Sequence, residues 1–361
     1  MKTYYVDETG FTGEDLLAED QPIFVQATNN FRSDEANALI ESCFGGIGSA
    51  ELKYNRLARG GRHHDRIIAL IRALADDPLR VGAWVAHKEY ALMTLVVDWW
   101  MEPLAYKHGL NLYKDGANHA MANMLYSCLE GFWSPAFRRK LLLHFQRMFR
   151  TRTRERYEEC RMLVEKEKRR VNGDREEVLR YFSLSFLLLG FKHVSDAPER
   201  VFDLSLTGLI QIGHAWNGRQ SGPWTLVHDQ SSNMASQKWI WDAYSAASMP
   251  PARFEAPGVT AQFPMNVTQT RFGDSMQEKQ LQICDVLAGA CSAFFRFDRN
   301  DADDKAYRER LHEAGIDKLI LAGLWPSTDV TAEGLGRKGW DGNIALEWLT
   351  ENMQAKAPIK P

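Results

Sequence analysis

From residue 91 to about residue 219 the apolar side chains recur with a helical period almost without break, while short β-branched and aromatic runs lie before and after this stretch. Sheet patterns resume at Trp224-Thr225-Leu226-Val227. Such an order predicts an α/β fold in which one sheet, assembled from two distant parts of the chain, closes around a large all-helical insertion. Residues 1–90 supply the first part of the core, 91–221 the insertion, 222–300 the second part and 301–361 a C-terminal extension.

Within the first part, strands are predicted near residues 4–6 and 23–28, a helix over 33–44, a strand over 50–54, a helix over 65–75 and a strand over 81–86. The second part reads as a strand at 224–227, a helix near 235–247, a strand near 262–270 and a helix over 278–295. Residues 354–361 carry two prolines and no apolar period, the pattern of a frayed tail.

With 361 residues, 45% of them apolar and 25% charged, the chain has the composition of a folded globular protein. Its five cysteines show no CxxC spacing, which argues against a zinc ribbon or a disulfide framework. The longest apolar run, residues 181–191, falls short of the roughly 20 residues that span a bilayer. No apolar signal core follows Met1, so a cytoplasmic location without membrane contact is expected.

The formal net charge of −3 hides an asymmetry. Between Arg138 and Arg170 there are thirteen Lys or Arg and five Asp or Glu, an excess of eight positive charges. Such a segment either tracks the phosphate backbone of a nucleic acid, DNA or RNA, or is a solvated helix with internal Glu–Arg pairs. The eleven tryptophans, Trp99, Trp100, Trp239 and Trp241 among them, read as packing residues before they read as stacking surfaces for bases.

Four acidic positions form the chemical argument. Asp7, with Glu8 beside it, ends the first strand; Glu51 and Lys53, two apart on an expected strand, share a face; Asp229 follows an apolar strand, where open α/β sheets place ligands. Taken singly, each has an ordinary alternative as a turn, a polar face or a loop cap. Asp285 is more informative, because residues 281–295 are otherwise nearly all apolar or small. Successive steps of about 100° put Glu278, Gln282, Asp285, Gly289 and Ser292 in one stripe of roughly 80°. A buried carboxylate needs a cation or a donor, so Asp285 is either a metal ligand or half of a salt bridge. Together, Asp7, Glu51, Asp229 and Asp285 offer the hard oxygen donors that suit Mg²⁺ or Mn²⁺. Gly60-Gly61-Arg62-His63-His64-Asp65 reads as a helix N-terminus capped by Asp65, with a catalytic histidine as its alternative.

The motifs Tyr5-Val6-Asp7-Glu8-Thr9-Gly10, Glu51-Leu52-Lys53, Val227-His228-Asp229, and Asp274-Ser275 with Leu281-Gln282-Ile283-Cys284-Asp285-Val286-Leu287-Ala288-Gly289 together resemble a bacterial family, domain-of-unknown-function family 3800. Its members carry an N-terminal Asp-Glu motif and are regarded as ribonuclease H-like. The resemblance covers residues 1–90 and 222–296 and leaves out the helical middle. Thr9 stands where the family usually has Ser, and Cys284 where Ala is usual; neither change removes a candidate ligand.

The resemblance implies a ribonuclease H-like mixed sheet with flanking helices and a polynuclear carboxylate site, with Lys53 touching phosphate and Glu8 auxiliary. The function expected on this reading is that of a divalent-metal-dependent nuclease or related phosphoryl-transfer enzyme acting on nucleic acid. The alternatives are a non-catalytic platform for nucleic acid or protein on the same fold, and a nucleotide phosphohydrolase for which the basic segment is incidental.

Overall fold

Successive strand residues point to opposite faces of a sheet, and all seven residues of β2 (Ile23–Asn29) are buried, so this strand is covered on both sides. The computed structural model describes every residue except 50, 221, 257, 258, 298, 300 and 355–361. It is a mixed α/β protein. The other strands of its main sheet are β1 (Lys2–Thr9), β3 (Val81–His87), β4 (Trp224–Asp229), β7 (Val267–Gly273) and β8 (Ile320–Leu324), and β5 (Ala252–Ala256) and β6 (Val259–Phe263) pair separately.

The six strands run in the order β7-β4-β1-β2-β3-β8. β2 is antiparallel to both β1 and β3, while β1/β4, β4/β7 and β3/β8 are parallel. The central strand β1 therefore lies between an antiparallel and a parallel neighbour, from opposite ends of the chain. One layer of helices consists of α1 (Ser33–Phe44), the single turn α2 (Tyr54–Leu57), α3 (His64–Ala75), α13 (Lys279–Phe294) and α14 (Ala302–Glu313). Ile23, Val25 and Ala27 of β2 meet Ile283, Val286 and Leu287 of α13 in the core of this layer.

Phe24 of β2 and Tyr4 and Val6 of β1 face the other way, into a core shared with the helical middle. That middle comprises α4 (Lys88–Val96), α5 (Glu102–Lys107), α6 (Ala117–Phe132), α7 (Pro135–Thr151), α8 (Arg154–Lys168), α9 (Asp174–Leu188), α10 (Gly190–Ser195) and α11 (Leu204–Arg219). Trp100 anchors it, with Phe186, Phe149 and Phe145 around its ring at centroid distances of 4.6 to 6.1 Å. The insertion is thus the second layer of the fold, its apolar interior continuous with the sheet. Trp241 is also fully buried, in α12 (Ser232–Ser245), whereas Trp239 on the same helix is half exposed.

Several expected elements differ. Residues 51–53 form no strand; the chain there is an extended loop leading into α2, because no neighbouring strand offers it a ladder. The single strand expected at 262–270 is two strands, β6 and β7, separated by a stretch that contains Pro264, which has no N–H to give to a ladder. The extension beyond residue 300 supplies α14, the sheet's edge strand β8 and α15 (Gly342–Gln354), whose Trp348 packs on Phe263 at 4.8 Å. Gln354 closes that helix, and the rest of the expected tail lies outside the described residues. α3 starts at His64, so Asp65 sits in its first turn and bonds to Arg310 rather than capping. Among the described residues no helix is long and apolar enough to cross a membrane.

Candidate active site

Period-two alternation decides which residues of β1 reach the α13 face. Tyr4 and Val6 face the helical middle, so Asp7 faces α13 and Glu8 does not. On the adjacent parallel strand, His228 pairs with Val6 and Asp229 follows it, which brings Asp229 to the same face as Asp7. α13 crosses behind this face with Asp285 on its polar stripe, and the loop before α2 adds Glu51 and Lys53.

The four carboxylates converge on one point, the Lys53 ammonium. Its Nζ lies 3.2 Å from Asp285 Oδ2, 3.3 Å from Glu51 Oε1, 3.7 Å from Asp229 Oδ2 and 4.0 Å from Asp7 Oδ2. Two like charges about 4 Å apart repel by about 4 kcal/mol at an effective dielectric near 20, and one ammonium faces four carboxylates. The group is therefore short of positive charge. Burial and the neighbouring Asp229 and Asp285 charges hold the Asp7 carboxyl well above the usual carboxylate range, and Lys53 only partly offsets them. Burial likewise raises Asp285, against a bond from the Tyr54 N–H and the Lys53 charge. A hydrogen bond from Ser275 pulls Glu51 down. Burial alone would lower Lys53, but Asp285, Asp7 and Asp229 outweigh it and hold the ammonium well above its ordinary value.

Asp7 Oδ1 accepts the Glu8 backbone N–H at 2.7 Å, whereas Asp7 Oδ2 is buried and has no hydrogen-bond partner. An orphaned carboxylate oxygen of this kind, in a site of hard oxygen donors, fits a divalent cation. Among the described residues, however, no three acidic, histidine or cysteine groups are set as a ready-made metal cage. Lys53 occupies the point where such a cage would centre, so a cation binding there has to displace the ammonium.

Two residues give the site its shape, and sequence reasoning assigned them no role. Gln282, fully buried one turn before Asp285, accepts the Leu52 N–H at 3.1 Å and donates to the Ser275 carbonyl at 2.5 Å, tying both flanking loops to α13. Tyr54 donates its backbone N–H to Asp285 Oδ1 at 2.6 Å. The Tyr54 ring rests on Gly289, where an added Cβ would lie 2.1 Å from it. The polar stripe of α13 was the available signal: Gln282, Asp285 and Gly289 all meet the segment from Leu52 to Tyr54.

Glu8 is not brought to the group. It accepts from Gln26 Nε2 at 3.3 Å and lies 3.9 Å from His228 Nε2 on the opposite face of the sheet. The auxiliary role expected for it therefore has no geometry at the carboxylate site. His64 stacks on Tyr307 with ring centroids 3.7 Å apart, and no hydrogen bond or ion pair among the described residues joins it to the four carboxylates.

The basic segment folds as α7 and α8, and much of its charge is met locally. Arg156 pairs with Glu159 at 2.7 Å, Arg161 with Glu158 at 2.7 Å and Lys168 with Glu165 at 3.0 Å, all at i,i+3 spacing. Arg138 pairs with Glu89 at 3.0 Å and Arg139 with Glu19 at 3.2 Å. α8 thus has the internally paired arrangement, while Lys140, Arg147, Arg150, Lys166, Arg169 and Arg170 stay exposed.

Comparison with known proteins gives no match to a family model, to a curated protein or to a solved structure.

Proposed function

We propose that the chain is a divalent-metal-dependent phosphodiester hydrolase, or a related phosphoryl-transfer enzyme, acting on nucleic acid through a ribonuclease H-like core. One observation carries the reading: four carboxylates from four separate segments meet within 4.0 Å of a single ammonium, an arrangement with too little positive charge of its own. The central position of β1, antiparallel to β2 and parallel to β4, supports the core assignment.

Asp7, Glu51, Asp229 and Asp285 would hold Mg²⁺ or Mn²⁺, which when bound polarises a phosphoryl oxygen and activates water. Lys53, once displaced from the carboxylates, is placed to neutralise charge on the phosphate, while Tyr54 and Gln282 keep Asp285 and the Leu52 segment in register. The unpaired state of all five cysteines suits the reducing cytoplasm, which we assign as its location.

A second reading has an observation in its favour. The Lys53 ammonium already bridges the carboxylates, as it would in a catalytically silent platform of the same fold.

Thermal melting with EDTA and with millimolar Mg²⁺ separates the two. At a hundred times its dissociation constant, a cation stabilises the native state by about 2.7 kcal/mol. Wild type should show such a rise together with cleavage of an oligonucleotide, and Asp285→Asn should lose most of both. No Mg²⁺ shift in wild type, or a mutant that keeps shift and activity, overturns the proposal in favour of the platform.

A further inference from the structure

The polar stripe of α13 does not end at the carboxylates. Gly289 and Ser292, one and two turns beyond Asp285, form the floor of an open groove of about 830 Å³. Its walls come from the loop after β1, from α2 and the turn behind it, and from α14. Among the lining residues are four arginines drawn from three segments: Arg59, Arg296, Arg299 and Arg310. Three aspartates line it as well, Asp20, Asp303 and Asp304, and the last two lie in the first turn of α14, where negative charge is matched by the helix N-terminus.

Arg310 bonds to Asp65 and Arg296 to the Asp20 carbonyl, so both are held in place. Arg59 has no ion pair among the described residues and is exposed on the rim, as is Arg299. The inner wall is flat and aromatic: Tyr307, with His64 stacked upon it at 3.7 Å, and Tyr54, whose hydroxyl lies 3.5 Å from that of Tyr307.

Distance sets what this groove can accept. At 1.5 Å per residue, Ser292 lies about 10 Å along the helix from Asp285, and even in the compact stacking of a duplex a strand advances about 3.4 Å per nucleotide along its axis. A strand whose reacting phosphate sits at the carboxylates reaches this groove within about three nucleotides, with the half-buried His64 and Tyr54 on its wall, while Tyr307 is buried beneath His64. Such a ligand presents several phosphates to arginines drawn from three segments. We infer that the groove binds single-stranded nucleic acid flanking the reacting phosphate. The inference rests on the proposed function for the identity of the carboxylate end.

The test is fluorescence anisotropy of a labelled single-stranded oligonucleotide against salt, in EDTA, for wild type and for Arg59→Ala with Arg299→Ala. Both side chains are exposed, and melting checks that the variant stays folded. The double variant should bind more weakly, with the slope of log affinity on log salt reduced by about 0.7 per lost phosphate contact. Three results would each overturn the inference: equal slopes, no oligonucleotide binding by wild type, or a mononucleotide that competes as well as the oligomer at equal phosphate concentration. Because binding is read without metal, it is independent of the Mg²⁺ shift. A protein with the shift and no change of slope loses the groove alone, and one with the slope change and no shift loses the cation site alone.

Discussion

The carboxylate cluster and helix α8 are both dense in charge, and they resolve it in opposite ways. In α8, opposite charges three or four residues apart meet on one helix, so the segment largely compensates itself. Around Lys53 the charges come from residues 7, 51, 229 and 285, and folding itself creates their proximity. On α8 the opposite charges visible in the sequence are thus met locally, while an excess that no window of sequence contains is left uncompensated. The location of unmet charge points to chemistry better than the density of charged residues does.

The strongest way to break this contrast is Lys53→Met. Removing one partner of a buried ion group typically costs about 3 to 5 kcal/mol; since Lys53 retains 27% side-chain exposure, the lower end is expected in EDTA. Mg²⁺ should then stabilise the variant more than it stabilises wild type, because the competing ammonium is gone. Equal melting of variant and wild type in EDTA would mean that the four carboxylates do not repel as described.

The pH dependence in EDTA has a definite sign. The Asp7 and Asp285 carboxyls are raised above their ordinary value of 3.8, so the folded state binds protons more tightly there than the unfolded chain does. Their contribution to stability is full below that value and is lost as pH rises through the raised values. Glu51 is shifted the other way and opposes this. In EDTA, Asp7→Asn should therefore gain stability relative to wild type as pH rises from the acid side to neutrality. A difference that stays constant across that range would contradict the burial and repulsion assigned to Asp7.

A smaller loss is expected from Gly289→Ala, which drives a methyl group into the Tyr54 ring. Overpacking of this kind typically costs about 1 to 3 kcal/mol. Mg²⁺ affinity should fall along with stability, since the Tyr54 N–H holds Asp285. A drop in stability with unchanged Mg²⁺ response would limit Tyr54 to packing. The smallest effect belongs to the other region: Glu159→Gln removes a partly exposed i,i+3 pair on α8 and should change stability by no more than about 0.5 kcal/mol. A loss of several kcal/mol there would show that α8 is not self-compensating after all.

Asp285 was legible because a helix with a single polar stripe states its own burial. Asp7 and Asp229 were legible as strand ends, and Glu51 with Lys53 as an alternating pair, although the local conformation is an extended loop with Lys53 at φ −130°, ψ 130°. Extended backbone of either kind puts residues two apart on one side, so the expectation survived the loss of its strand. Glu8 points away by the same rule, since adjacent strand residues diverge. Tyr54 and Gln282 were not assigned because their roles depend on contacts across more than 200 positions in the chain. β8 escaped notice because its five residues, Ile320–Leu324, are short and lack alternation, and only the ladder with β3 makes them a strand.

The divergence of Asp7 and Glu8 also bears on how this protein can change over time. Substitutions along β1 exchange one side chain at a time and leave the remainder facing as before. A one-residue deletion between Lys2 and Val6 would shift the frame of the strand against β2 and β4, carrying Glu8 to the α13 face and burying Asp7 among the apolar helices behind the sheet. The segment is therefore open to drift in composition but closed to drift in length, whereas the loop from Gly10 to Pro22, between β1 and β2, is not held to any such parity.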